Sequence, residues 1–591
     1  MGAPCEKYLD MEDSKQNPEP THCAEQVIVS NLPLPPEERI DSTGKEGKWC
    51  RFLPTGIWKE SRLLLVLAGP GFLYQLMIFM ISIVSAIFCG HLGKVELDAV
   101  SLAVAMINIT GVAVGAGLAG ACDTLISQIY GGRNLKLVGT VLQRGILILL
   151  LFCFPCWALF INTDPILRLF RQDPEVSKLT EIYVLIFLPA LPAAFMFQLQ
   201  AKYLQNQGII LPQVLTGFIA NLINALINYI FLYVLGLGVM GSAWANTISQ
   251  FAQAILLFLY IIWKKLYRDT WSGWSPECFE EWGSFIRLAI PSMLMLCIEW
   301  WTFEIGIFLA GIIGVVELGA QAVVYQLANI VFMMPVGVSI AASVRVGHAL
   351  GAGDIKQAKK SAIVSLLMTE SFALCCCILL VSLKEIIAYV FTSDHEIVAL
   401  VSYVLPVYAA THLFDGCVAT CGGILRGTGR QKIGAIFHFV GYYVIGLPVG
   451  ISLMFAANIG IIGFWIGTLL CGMLQVIAFL TFVFKIDWKK ASEKAQSRSM
   501  QRVKVKKDLN DQPAIYQSAP PSEPDVENTT LTEHDITACE TPQPSENESP
   551  SCTLSPKHKP LTKRQLIRRR SLTLIGAIII LMIGISIRLT V

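Results

Sequence analysis

The chain has 591 residues, of which 54% are hydrophobic and only 15% charged, with a formal net charge of +2. That charge content falls well below the roughly one quarter usual in soluble domains, so an ordinary soluble protein is excluded. The near-neutral balance also excludes a nucleic-acid or acidic partner held by bulk charge.

Residues 1–58 are polar and Pro-rich and are predicted to form a disordered tail without a cleavable signal peptide. Thirteen apolar runs follow, at 62–89, 98–129, 138–160, 178–202, 211–234, 240–263, 285–310, 317–344, 361–390, 398–424, 433–456, 460–485 and 572–590. A bilayer core needs roughly 20 apolar residues as helix. The runs therefore predict an all-α polytopic membrane protein. A stretch from Trp488 to about Gln565, rich in Ser, Pro, Thr, Glu and Lys, precedes the last run and is predicted to be a flexible linker.

Loop charges set the orientation. Thirteen Lys and Arg, among them Arg133, Lys202, Arg345 and Arg426, fall on one side, against Lys94, Arg168, Arg171, Lys178 and Lys384 on the other. The first side is assigned to the cytosol, which places the N-terminus and the linker there and Val591 outside. The sequons at Asn528 and Asn547 are then expected to stay unglycosylated. The 17 cysteines match neither a zinc site nor a disulfide framework.

The chain repeats itself. "LAGP" at Leu67 recurs as "LAIP" at Leu288, "GHLGKVEL" at Gly90 as "GIIGVVEL" at Gly311, "FRQDPEV" at Phe170 as "FTSDHEI" at Phe391, and "LQNQG" at Leu204 as "LRGTG" at Leu425, each pair 221 residues apart. One constant offset implies a duplicated six-helix unit. Six is even, so the copies point the same way, as in transporters built from parallel repeats. The expected organisation is a cytosolic tail (1–58), a first lobe (59–265), a cytosolic loop (266–283), a second lobe (284–487), a linker (488–566) and a thirteenth helix (567–591). Two like-oriented bundles suggest alternating access. No G-x-x-x-x-G-K-[ST] loop is present, so the drive is expected from an ion gradient or a partner subunit.

Charged side chains inside the runs are the functional candidates, because a carboxylate at mid-membrane costs about 2.5–3.5 kcal/mol even on insertion scales. "CIEWWTFEIG" places Glu299 near the midplane of helix 7 and Glu304 five residues on, roughly 7.5 Å nearer the outside and about 140° round the helix. Trp300 lies four residues before Glu304, and Phe303 four after Glu299, so each acid has a ring on its own face. With Trp301 adjacent, this suits an organic cation through charge and cation–π attraction. The alternative for each acid is a protonated or paired group joining helices. Helix 10 carries Asp415 with His412 one turn earlier, and helix 8 carries Gln326. Asp123 and Glu370 read first as structural.

The repeat sends Glu299, Glu304, Gln326 and Asp415 to Ile78, Ile83, Ala105 and Ala194, all apolar. The first lobe offers amides instead: Gln75, Asn108, Asn221, Asn224 and Asn228. Proton-binding machinery is thus expected in the second lobe alone. Burial disfavours the charged form of a carboxyl, so such a group can hold a proton or a cation in turn.

"CGHLGKVELDAVSLA", "ACDTLISQIYG", "LAIPSMLMLCIEWWTFEIG" and "GGILRGTGRQKIGA" closely resemble the vertebrate multidrug and toxin extrusion (MATE) transporters, over about residues 55–490 and in the thirteenth helix. The resemblance implies a twelve-helix core of two lobes and proton-coupled efflux of organic cations, in the plasma membrane and apical in epithelia. It implies transport roles for acids on helices 7, 8 and 10, matched here by Glu299, Glu304 and Asp415. Mammalian members carry Glu, and plant relatives Asp, at the last of these. Gln326 departs from the pattern, since mammalian members have Glu there. A weaker link of Cys89 and Cys153 to transport competence is also implied.

The expected function is a proton/organic-cation antiporter, not an enzyme, with no cofactor or metal, working as a monomer in the bilayer on small organic cations and protons. One rival is a lipid flippase, which would line its cavity with Arg or Lys; none lies at mid-membrane depth. The other is a channel or receptor, for which a twelve-helix tandem repeat is not needed.

Overall fold

The computed structural model describes residues 56–590 apart from 91, 171 and 511–562. Most of the expected tail, most of the expected linker and both sequons lie outside the described residues. Among the described residues there is no strand.

The first repeat comprises α1 (Ile57–Gly90), α2 (Val95–Gly131), α3 (Leu135–Ile161), α4 (Pro174–Phe187 plus Ala190–Gln205), α5 (Leu211–Val234) and α6 (Gly238–Trp263). The second comprises α7 (Trp282–Ile313), α8 (Val315–Ala352), α9 (Ile355–Ser382), α10 (His395–Thr428), α11 (Gln431–Ala456) and α12 (Ile461–Phe484). Two further helices follow, α13 (Trp488–Asn510) and α14 (Arg564–Thr590). Among the described residues, twelve helices are long and apolar enough to cross a membrane, and the two pieces of α4, bent by 59°, make a thirteenth span. Every predicted apolar run is one of these spans.

The recurring motifs are helix ends and kinks. Pro70 and Pro291 sit inside α1 and α7 at equivalent positions. Asp173 caps α4 by accepting from the Glu175 and Val176 amides, and Asp394 caps α10 by accepting from the Glu396 amide, which satisfies N–H groups that the first turn leaves open. At the other end Gly208 (φ 80°) and Gly429 (φ 73°) take the left-handed conformation that ends a helix. The repeats diverge where α4 breaks. Pro189 cannot continue the hydrogen-bond ladder, and its counterpart is Ala410, within unbroken α10.

The two repeats meet at the end that carries the basic loops. Arg345 of α8 holds Glu60 of α1 at 2.7 Å, with Gln357 and Ser361 completing the carboxylate's partners. Asp123 of α2 is held by Lys202 at 3.0 Å and by Arg426 of the second repeat at 3.7 Å. Gln128 donates to the Gly427 carbonyl at 2.8 Å. Small residues let the backbones touch. A Cβ on Gly337 would lie 2.7 Å from the Ala68 carbonyl, and one on Gly351 would overlap the Gln128 carbonyl. Towards the other end the halves are bridged by a Trp301–Ile109 hydrogen bond at 3.3 Å and by the Phe170 and Phe308 rings, 6.0 Å apart.

Helix α13 corrects the linker expectation. Residues 488–510 are helical, and Trp488, Ala491, Ser492, Ala495 and Ser499 are buried. Those positions make one helical stripe of mostly small residues, which composition reads as polar linker. The stripe packs across the seal: Ser492 donates to the Leu350 carbonyl, Arg498 to Gln128 at 2.8 Å, and Asn134 to the Ser499 carbonyl at 2.7 Å. Helix α14 lies against α3, where Asn162 donates to the Gly584 carbonyl at 2.9 Å. Arg588 meets Glu181 at 2.7 Å at one end of α14, and at the other Arg570 stacks 4.2 Å over Trp282.

Candidate functional site

Helix α7 lies against α2 on one side and α11 on the other, and carries both predicted glutamates. Glu299 and Asp415 of α10 are within electrostatic reach of each other, and Arg426 lies within reach of Glu299. Asp415 sits against Gly472 of α12, where the lack of a side chain leaves room for the carboxylate. Glu304 is set apart, as the 140° turn requires; its Oε1 accepts from the Tyr325 hydroxyl of α8 at 3.5 Å. The acids therefore form a pair, Glu299–Asp415, and a satellite, Glu304.

Rings wall the site. Phe303 packs 6.1 Å from Tyr325, 6.4 Å from Tyr442 and 6.3 Å from Trp465. Tyr442 is within electrostatic reach of both Glu299 and Asp415. Tyr408 stands 6.1 Å from His412 and within reach of Asp415. Tyr408, His412 and Asp415 follow i, i+4, i+7 spacing, one face of α10. His412 is buried, and neither ring nitrogen has a hydrogen-bond partner among the described residues. Tyr442 lies in a π-helical turn, Phe439–Gly446, a distortion frequent at functional sites.

The other candidates disperse. Trp301 is 37% exposed and donates to the Ile109 carbonyl of the first repeat, so it joins the halves. Trp300 is half-buried. Gln326 is exposed, one residue on from Tyr325 and about 100° round the helix. Its contacts with the acid pair are absent among the described hydrogen bonds, so Gln326→Ala is expected to keep transport within about twofold, the effect of an ordinary exposed substitution; initial-rate uptake at matched surface expression checks this.

The first repeat holds the matching place. A small cavity of about 50 Å³ is lined by Ile78, Asn108, Ala194, Gln198, Asn246 and Gln253, among others. Ile78 and Ala194, in its lining, are the repeat counterparts of Glu299 and Asp415, so the duplicated fold places amides and apolar residues in the first repeat where the second carries its acids. Asn108 is in this cavity. Asn221, Asn224 and Asn228 are not; they tie α5 to α1, α6 and each other, with Asn221 donating to the Met77 carbonyl at 2.8 Å. Gln75 is half-buried in α1 outside the cavity lining. Cys89 and Cys153 are buried free thiols in the first repeat. Asp123 belongs to the seal described above.

Sequence reasoning missed Tyr325, Tyr408, Tyr442 and Trp465. A tyrosine or tryptophan inside an apolar run carries a polar tip that needs a partner, and that was the available signal. Trp465 indeed donates to Gln321 at 3.0 Å.

Comparison with known proteins agrees with this architecture. The MatE family model matches twice, at residues 70–230 and 291–451, two matches offset by the same 221 residues as the motifs. Multidrug and toxin extrusion protein 1 of Xenopus tropicalis is 64% identical over 577 residues, covering 98% of this chain and all of the relative. The protein of that name from Homo sapiens is 55% identical, covering 90% of this chain and 93% of the relative. The crystal structure of the eukaryotic MATE transporter AtDTX14 superposes with a TM-score of 0.73 at 30% identity, over 75% of this chain and all of that one. With its two repeats, its thirteen spans and matches over nearly its whole length, the chain is a member of the multidrug and toxin extrusion family of membrane transporters.

Proposed function

We propose that this transporter is a proton-coupled antiporter that exports organic cations from the cytosol, with Glu299, Glu304 and Asp415 binding protons or the cation in competition. The observation that carries the reading is the Glu299–Asp415 pair, each acid in the other's field and beside the Tyr442 ring, inside apolar spans. Two carboxylates in each other's field within the membrane resist being ionised together, so a positive charge must be shared between them. A proton or an organic cation can supply it, and each excludes the other. Half-buried Phe303 offers a π-face, backed by the buried Tyr442 and Trp465 rings, that suits cations of varied shape, consistent with a family named for many drugs and toxins.

The exchange cycle follows. In the described state the halves are sealed where Glu60–Arg345 and Asp123–Arg426 meet, the end that loop charges assign to the cytosol. Protons entering from outside displace the cation from the acids. Opening of the seal then exposes the protonated site to the cytosol, where a new cation displaces the protons. The protein acts as a monomer in the plasma membrane, with its N-terminus in the cytosol and Val591 outside.

The test is uptake of radiolabelled tetraethylammonium into cells expressing the protein, under proton gradients imposed in each direction. Prior acidification of the cytosol is expected to drive saturable, trans-stimulated uptake. Uptake indifferent to the gradient, or linear in concentration as for a channel, would overturn the proposal.

A further inference from the structure

An acid-bearing cleft lies on the opposite side of α10 from Asp415. Helices α9, α10 and α12 enclose a cleft of about 450 Å³, lined by Leu366, Leu367 and Glu370 of α9, Phe414 and Cys417 of α10, and Leu480 of α12, with a few further apolar residues. The volume falls within the range of small-molecule sites, about 300–1,000 Å³. Leu367 is 45% exposed at its rim, and Phe484, also in the lining, 69%. Leu367 lies well inside its span, which opens the mouth to the bilayer, while Phe484 ends α12 at the basic end of the fold.

Glu370 is the one carboxylate in the lining, and no Lys, Arg or His accompanies it. The Cys417 thiol is the polar group beside the carboxyl in the lining, and the Oε1 atom is buried with no partner among the described residues. A buried polar atom left unpaired costs about 1–3 kcal/mol, and an acid at membrane depth is a functional candidate by default. A lipid acyl chain would cover the apolar walls and offer nothing to the Glu370 carboxyl. An amine with an apolar body offers both, its ammonium head pairing with the Glu370 carboxyl in the lining while its body covers Leu366, Phe414 and Leu480.

We propose that this cleft is a membrane-facing binding site for lipophilic amines, entered from the bilayer and separate from the Glu299–Asp415 pair. The site selects for a hydrogen-bonding cationic head on an apolar body. Compact hydrophilic cations such as tetraethylammonium have no N–H and no access through lipid, and are not ligands.

The experiment uses the full chain in phosphatidylcholine nanodiscs with two photoactivatable probes, a diazirine-bearing dodecylamine and the matched dodecanol. Labelled peptides are mapped by mass spectrometry. The amine is expected to label α9 around Leu367 and α10 around Phe414 at least about fivefold more than the alcohol, because both heads can donate a hydrogen bond to Glu370 but only the ammonium adds opposite charge, worth roughly 1 kcal/mol more. Glu370→Gln is expected to remove that preference and leave alcohol labelling unchanged, while Leu367→Trp, which fills the mouth, removes labelling by both. Excess tetraethylammonium is expected to leave the signal intact. Equal labelling by amine and alcohol, or an amine preference that survives Glu370→Gln, would assign the cleft to ordinary lipid chains and overturn the proposal.

Discussion

Glu299→Gln is expected to abolish proton-driven exchange of organic cations while leaving the protein at the cell surface. Gln keeps the size of the side chain and loses the charge. The Glu299–Asp415 pair would then have one carboxylate to offer, and no exchangeable proton shared between the two. Losing one member of a buried charge interaction costs roughly 2–5 kcal/mol, about 30-fold to several thousand-fold in cation affinity. Asp415→Asn is expected to behave alike, because each acid lies in the other's field. Glu304→Gln is expected to be milder, since that carboxylate stands apart with the Tyr325 hydroxyl at 3.5 Å. Concentration-dependent uptake at matched surface biotinylation checks the series. Normal flux in Glu299→Gln would remove the acid pair from the mechanism.

The second large effect is expected at the seal. Gly351→Val puts a branched side chain where even a Cβ overlaps the Gln128 carbonyl. The obstacle is backbone, so no rotamer change relieves it, and overpacking of this kind costs about 1–3 kcal/mol. The cost falls only on the conformation in which α2 and α8 touch. The equilibrium should move towards the state open at the basic end by roughly 5- to 150-fold. Ser127 is fully buried at that contact, against Gly347, so Ser127→Cys serves as a reporter. An impermeant maleimide applied from the basic side is expected to label it faster when Gly351→Val is added, and exchange is expected to fall. Unchanged labelling would mean that this contact is not what closes the molecule.

Much of the fold was legible because membranes impose coarse rules. Length and hydropathy alone locate all thirteen spans, and the 221-residue offset recovers the duplication from short motifs. Two of those motifs are caps and helix-ending glycines, Asp173 with Asp394 and Gly208 with Gly429, and another holds the kink prolines Pro70 and Pro291. They recur because chain reversals tolerate few residue types. The helix at Trp488–Asn510 was not legible. Its buried stripe is Ala and Ser, which score as linker, and its stability comes from packing on α2 and α8 rather than from its own composition.

The site was legible in its acids and not in its walls. Glu299, Glu304 and Asp415 stand out because charge is rare in an apolar run. Their grouping depends on how α7, α8 and α10 pack, and spacing along one helix cannot report that. The structure pairs Glu299 with Asp415 across two helices, and gives Glu304 to Tyr325. Tyr408 and Tyr442 passed unnoticed because aromatic residues are ordinary in spans. Gln326 attracted attention through its departure from a family pattern, yet its side chain is exposed.

Competition between proton and organic cation at the acid pair is tested most directly by counting protons during binding. Purified protein in weakly buffered detergent solution would be titrated with tetraethylammonium while a pH-sensitive dye is followed. The account predicts protons released in step with saturation of the cation site, and no release from Glu299→Gln with Asp415→Asn. Saturable binding by the unaltered protein with no change in pH would contradict it.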